Sequence, residues 1–296
     1  MTAVLEPAVV AAIDDLELAA RVIVDGIRTG GHRSPLQGHG AEFQQHRPYR
    51  AGDDLKYLDW KVFGRSDRLY TRQFRETTNM HLMLVLDASA SMAYPIDGPG
   101  PSKFRYAVLL AAALAYLASE QGHAVGLMSR TDGALTYLPA RAGLVHRRQL
   151  LIALDGLRPT ARWEPEGMID RAADLLGRRG LMLVLSDFYD DEPGTQRALR
   201  HAVQRGHDVA MLQLLSRAEA QLPTGGTLAL QDLESGVQQP IDTALAATAY
   251  AAEVAAFCAR CATAAQHAGM DYVRFDTDAP LDRALREWLV RRQTGR

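Results

Sequence analysis

From residue 81 onward, short apolar runs alternate with longer segments whose apolar residues recur every three or four positions. HLMLVLD at 81–87 is a continuous apolar run, the pattern of a strand covered on both faces. Ser102 then caps a helix whose body reads FRYAVLLAAALAYLASEQ. HAVGLMS at 123–129 is the next strand, and ALTYLP at 134–139 fits a short edge strand. Helical spacing covers 145–157 and 167–176, and GLMLVLSDF at 180–188 is a second buried strand that ends in an aspartate. A helix over 195–204 and the strand DVAMLQLL follow. TLALQDLESGVQQPI reads as a hairpin turning at Glu234-Ser235-Gly236. A long helix over 242–267, the strand MDYVRFD and a helix over 281–291 complete the series. Alternating strands and helices predict a doubly wound α/β domain, with a mostly parallel central sheet and helices on both faces.

Before residue 79 the pattern is different. Residues 8–28 have helical spacing and end at Gly30-Gly31. A polar, glycine-containing and arginine-rich stretch follows, in which only Leu69 to Phe74 alternate like a strand. Residues 1–78 therefore read as an N-terminal extension packing on a main domain over 79–296.

Composition removes several function classes. A formal net charge of -2 and the lack of a Lys/Arg run argue against nucleic-acid binding. The N-terminal segment carries Glu6, Asp14, Asp15 and Glu17, unlike the basic start of a signal peptide. The apolar stretch Ala107 to Ala118 is shorter than the roughly 20 residues a membrane span needs. A soluble cytoplasmic protein without membrane insertion is the expectation. Cys258 and Cys261 form a C-x-x-C without a second pair, so two small residues on a buried helix face are expected, not zinc.

Ligands of doubly wound sheets bind at the carboxyl ends of strands, near the switch in strand order. Two strands bring polar residues to that edge. One supplies Asp87, Ser89 and Ser91, spaced D-x-S-x-S, and the other supplies Ser186 and Asp187, with Asp190 and Asp191 just beyond. Carboxylates and hydroxyls without His or Cys are hard oxygen donors, suited to Mg²⁺, Mn²⁺ or Ca²⁺. The alternative is that Asp87 and the serines cap a loop and Asp187 caps a helix. Asp53, Asp54 and Asp59 in GDDLKYLDW could form another acidic site, or pair with Arg47, Arg50 and Arg65. His32, His39 and His46 are seven apart but lie in glycine-rich sequence, where helical spacing has no meaning. Neither G-x-S-x-G nor the P-loop pattern occurs.

The D-x-S-x-S after an apolar strand resembles the metal-ion-dependent adhesion site of von Willebrand factor type A domains. That resemblance makes Asp87, Ser89 and Ser91 metal ligands, direct or through water, and adds the later strand-end Asp187. It also implies a threonine ligand from a loop before a helix, for which Thr160 in RPTARWEPEG is the nearest candidate. The preceding stretch resembles the signature of the domain of unknown function 58 family, through Glu42, Phe43, Tyr49, Gly52, Asp53, Asp54, Asp59 and Trp60. The family resemblance implies a bacterial protein working beside a MoxR-type AAA+ ATPase in chaperone-like maturation or assembly. A non-catalytic module is then expected, whose divalent ion accepts an acidic side chain of a protein partner. A metal-dependent hydrolase using the same carboxylates and a metal-free docking scaffold are the alternatives.

Overall fold

The computed structural model describes residues 6–29, 40–49, 58–66, 68–77, 80–96, 100–131, 133–160, 164–177, 179–189, 192–223 and 225–294. The chain divides into one unit of residues 1–36 and 81–296 and a second of residues 37–80. The extension expected over 1–78 is thus split, its first helices belonging with the main unit.

The second unit pairs β1 (Gly40–Pro48) antiparallel with β2 (Tyr70–Thr77), with an irregularity between Phe43 and Gln45. Between these strands lies a short helix, α3 (Trp60–Ser66). Asp59 caps it, its Oδ1 accepting the Val62 N–H at 3.1 Å. β1 carries no clean alternation, which is why the sequence pattern passes over it. Asp53, Asp54, Arg50, His32 and His39 lie outside the described residues, and His46 falls on β1.

In the main unit the helix expected over 8–28 is two helices, α1 (Pro7–Ala11) and α2 (Leu16–Thr29). The Asp15 carboxylate restarts the helix by accepting the N–H groups of Glu17 (2.9 Å) and Leu18 (3.1 Å). Carbonyls left over at the break are taken by Arg105, which donates to Ala11 O (3.3 Å) and Ile13 O (2.7 Å).

A six-stranded sheet forms the centre. Its strands are β3 (His81–Leu86), β4 (Ala124–Thr131), β5 (Ala134–Arg141), β6 (Leu181–Ser186), β7 (Asp208–Leu215) and β10 (Asp271–Asp276). They lie in the order β10-β7-β6-β3-β4-β5, parallel except for the antiparallel edge strand β5. The doubly wound, mostly parallel sheet expected from the sequence is present. Alternate residues serve opposite faces. Met83, Val85, Met182, Val184, Val209 and Met211 pack with α6 (Pro165–Leu176), α7 (Glu192–Gln204) and α9 (Thr243–His267). Against the other face lies α4 (Lys103–Glu120), covered in turn by α2, α5 (Leu144–Gly156) and α10 (Leu281–Thr294). This double layer explains why α4 is apolar all round: it has almost no solvent side. Ser102 caps it as the sequence suggests, accepting the Arg105 N–H at 3.1 Å.

The four-residue α8 (Arg217–Ala220) and a hairpin of β8 (Thr227–Gln231) and β9 (Gln238–Asp242) sit between β7 and α9. Cys258 and Cys261 are buried on α9 and are not joined by a disulfide. Among the described residues, α9 is the one helix long and apolar enough to cross a membrane, and only 11% of its most apolar window is buried.

Candidate functional site

Connections leave β3 toward β4 on one side and β6 toward β7 on the other, so strand order reverses between β3 and β6. Both strands stop at the same level, because Leu82 pairs with Leu181 and Leu86 with Leu185. The backbone continues the pairing one step further, with Asp87 N–H donating to Leu185 O at 2.9 Å. Asp87 and Asp187 therefore emerge side by side in the crevice where such sheets bind ligands.

Each carboxylate is buried and held. Asp87 Oδ1 accepts the Ser89 N–H (2.8 Å), and its Oδ2 accepts the Ser186 hydroxyl (2.6 Å). Ser186 Oγ in turn accepts the Phe188 N–H at 2.9 Å. Asp187 Oδ1 accepts the Tyr189 N–H (3.2 Å), and Gln213 donates to its backbone carbonyl (3.0 Å). Phe188 has φ 62, a left-handed conformation that costs a bulky residue about 1 kcal/mol or more. Its buried ring and the Ser186 bond offset that strain, and the chain turns sharply after Asp187.

Hydroxyl groups link the two strand ends. Ser89 Oγ and Ser91 Oγ are 3.0 Å apart, and Ser91 Oγ donates to Asp187 Oδ2 at 2.9 Å. The serines enter from the loop after β3, which makes a single 3-10 turn over Ala90–Ala93. Four of the five residues assigned to the site from sequence are thus brought together. Thr160 reaches the same edge through its backbone, its N–H donating to Ala88 O at 2.8 Å. Residues 161–163 of its loop and Asp190 and Asp191 lie outside the described residues.

Two charged residues that the sequence reading left out complete the cluster. Lys103, the first residue of α4, is fully buried; its Nζ donates to Asp187 Oδ2 at 2.7 Å and to Glu219 Oε1 at 2.5 Å. Glu219 is fixed by a capping box on α8, accepting the Ser216 N–H at 3.2 Å while its own N–H bonds Ser216 Oγ. A signal for Lys103 existed: a cation in the first turn of a helix opposes the helix dipole and needs a reason to be there. For Glu219 the sequence S-R-A-E announced a capping box but not the second role of its side chain.

Burial sets the electrostatics. Loss of water, and then the Asp187 charge, push the Asp87 carboxyl up from 3.8 to about 7, against the hydrogen bonds from Ser186 and Ser89. Burial alone would lower the Lys103 ammonium, but Asp187 and Glu219 outweigh it and raise it above its ordinary value. Glu219 is raised by burial, which exceeds the stabilisation from Lys103.

Residues 45–259 match the model of the family described as "Protein of unknown function DUF58". The chain belongs to the DUF58 family. The uncharacterised protein Rv1480 of Mycobacterium tuberculosis is 34% identical to it over 263 residues, covering 84% of this chain and 81% of that relative. A shorter uncharacterised protein of Mycobacterium avium is 33% identical over 133 residues, 41% of this chain and 77% of its own. Among solved structures, the conserved hypothetical protein BatB of Bacteroides thetaiotaomicron is similar at 18% identity and TM-score 0.48, over 73% of this chain and 100% of that one. The VWA domain of SpRpn10 is similar at 13% identity and TM-score 0.41, over 70% and 94%.

The donors of this DUF58 protein, two carboxylates and two hydroxyls, are of the chemical type that a small hard cation takes. Ser89 Oγ, Ser91 Oγ and Asp187 Oδ2 are spaced 3.0 and 2.9 Å along their chain. Among the described residues no group of three or more His, Cys, Asp or Glu side chains forms a metal cluster, so hydroxyls are essential to such a site.

Proposed function

We propose that this DUF58 protein is a non-catalytic protein-interaction module that docks partners at the carboxyl edge of its central sheet. The observation that carries the reading is the convergence of Asp87, Ser89, Ser91 and Asp187 at the switch in strand order, where the two serines join one carboxylate to the other. Asp87, Ser89, Ser91 and Asp187 are the residues that would hold Mg²⁺ or a similar divalent cation, with Thr160 nearby. When bound, the ion supplies a positive, coordinatively open point that attracts a partner's Asp or Glu carboxylate. The chain's own groups do the remaining work. Ser186 and the Ser89 N–H fix Asp87, and the Tyr189 N–H and Ser91 fix Asp187.

The partner we propose is a MoxR-type AAA+ ATPase, with chaperone-like maturation or assembly of other proteins as the shared task. The choice follows from what the sequence resemblance implies, and the interaction would link an energy source to a chain without a P-loop sequence. The test is capture of the ATPase by the full chain, with and without chelator, and with Asp87→Ala. Capture should be lost in both cases, while phosphate and ester substrates are not turned over. Metal-dependent turnover abolished by Asp187→Ala would replace this reading with that of a hydrolase.

A further inference from the structure

We infer that Lys103 is a tethered cation that competes with a divalent ion for Asp187 and so sets the ion affinity of the site. This rests on the ion-holding reading above, but it concerns a residue outside the donor set.

Burial and helix position both disfavour a charge on Lys103. Its ammonium is fully buried, and it opens α4, where the helix dipole repels positive charge. Only strong partners can keep it there. It has Asp187 Oδ2 at 2.7 Å, Glu219 Oε1 at 2.5 Å, and the Tyr189 ring 5.3 Å away. Asp187 Oδ2 is therefore shared between the ammonium and the Ser91 hydroxyl. Oδ2 is also the Asp187 oxygen that sits beside Ser91 Oγ, where the proposed ion would need it. An ion held there and the ammonium are like charges contending for one carboxylate oxygen, and their repulsion in a buried setting is large.

The second carboxylate supplies a way out. Glu219 is anchored through Ser216, so it can keep the ammonium when Asp187 turns to an ion. Lys103 then has two states: shared between Asp187 and Glu219, or held by Glu219 alone. Glu219 also lines a groove of about 1150 Å³ together with Ser91, Tyr94, Tyr189 and Tyr250. The lysine thus stands between the oxygen cluster and the groove, and its position reports on both.

The experiment titrates Mn²⁺ into the full chain by calorimetry, with thermal midpoints as a second readout. Wild type, Lys103→Met and Lys103→Met/Glu219→Gln are compared, each with and without Asp187→Asn. The double variant guards against misfolding, because it removes a carboxylate together with the cation. Lys103→Met should bind Mn²⁺ at least tenfold more tightly than wild type, with its midpoint rising more on adding Mn²⁺, and Asp187→Asn should abolish both effects. Tighter binding by the variants beside a wild type that binds none would support the competition and refute an ion in the native site. Equal affinities in wild type and variants would overturn the role of Lys103 and leave the ion site standing. Binding by none of the folded proteins would overturn both.

Discussion

Replacing Asp87 by Asn should stabilise the protein at alkaline pH although it removes a central group of the site. In the native state the Asp87 carboxyl keeps its proton up to about pH 7, while in the unfolded chain it releases it near 3.8. Between those values the native state binds more protons than the unfolded one, so stability falls as pH rises. Full ionisation of this buried group by pH 8.5 costs about 4 kcal/mol, a penalty that Asn does not carry. The substitution has its own cost. Asn can accept the Ser89 N–H through its oxygen, but its amide then faces Ser186 Oγ, which has lost its acceptor. One frustrated buried hydrogen bond costs about 1–2 kcal/mol. Asp87→Asn should therefore be about 2–3 kcal/mol more stable than wild type at pH 8.5. At pH 5 the relief is only about 1–2 kcal/mol, and the two proteins should be nearly equal. Urea unfolding at both pH values, with EDTA present to exclude divalent ions, measures the difference. A gap of the same size at pH 5 and 8.5 would refute the assignment of Asp87 as the strained carboxyl.

Two further substitutions probe the frame around the site. Ser186→Ala leaves Asp87 Oδ2 and the Phe188 N–H without their bonds, and should destabilise by about 1–3 kcal/mol, more at pH 8.5 than at pH 5. An unchanged urea midpoint would show that the hydroxyl is not holding the carboxylate. Gly180→Ala would bring a methyl group to 2.7 Å from His81 O, forcing β6 away from β3. A loss of about 1–3 kcal/mol is expected from that overpacking, and a thermal melt matching wild type would contradict the close strand approach.

How much of this was readable beforehand depends on the distance over which each feature is decided. Buried strands ending at Asp87 and Asp187 stand out because a run of apolar residues followed by polar ones is a local pattern, and Ser102 as a cap is equally local. The break between α1 and α2 was missed because Asp15 has both helical neighbours and capping ability, and the surrounding apolar spacing continues across it. β1 was missed because its pairing with β2, not alternation, makes it a strand.

For the site the division is sharper. The sequence alone determined which oxygens arrive at the strand ends, since D-x-S-x-S and S-D are fixed by short spacings and by the two-residue period of a strand. Tertiary structure decided what those oxygens meet. β3 and β6 become neighbours only through the strand order, which depends on helices packing on both faces of the sheet. That order carries Lys103 to Asp187 across 84 positions and to Glu219 across 116, distances at which no spacing rule operates. A buried ammonium is tolerated because two carboxylates from distant elements converge on it, and that convergence is a property of the folded chain.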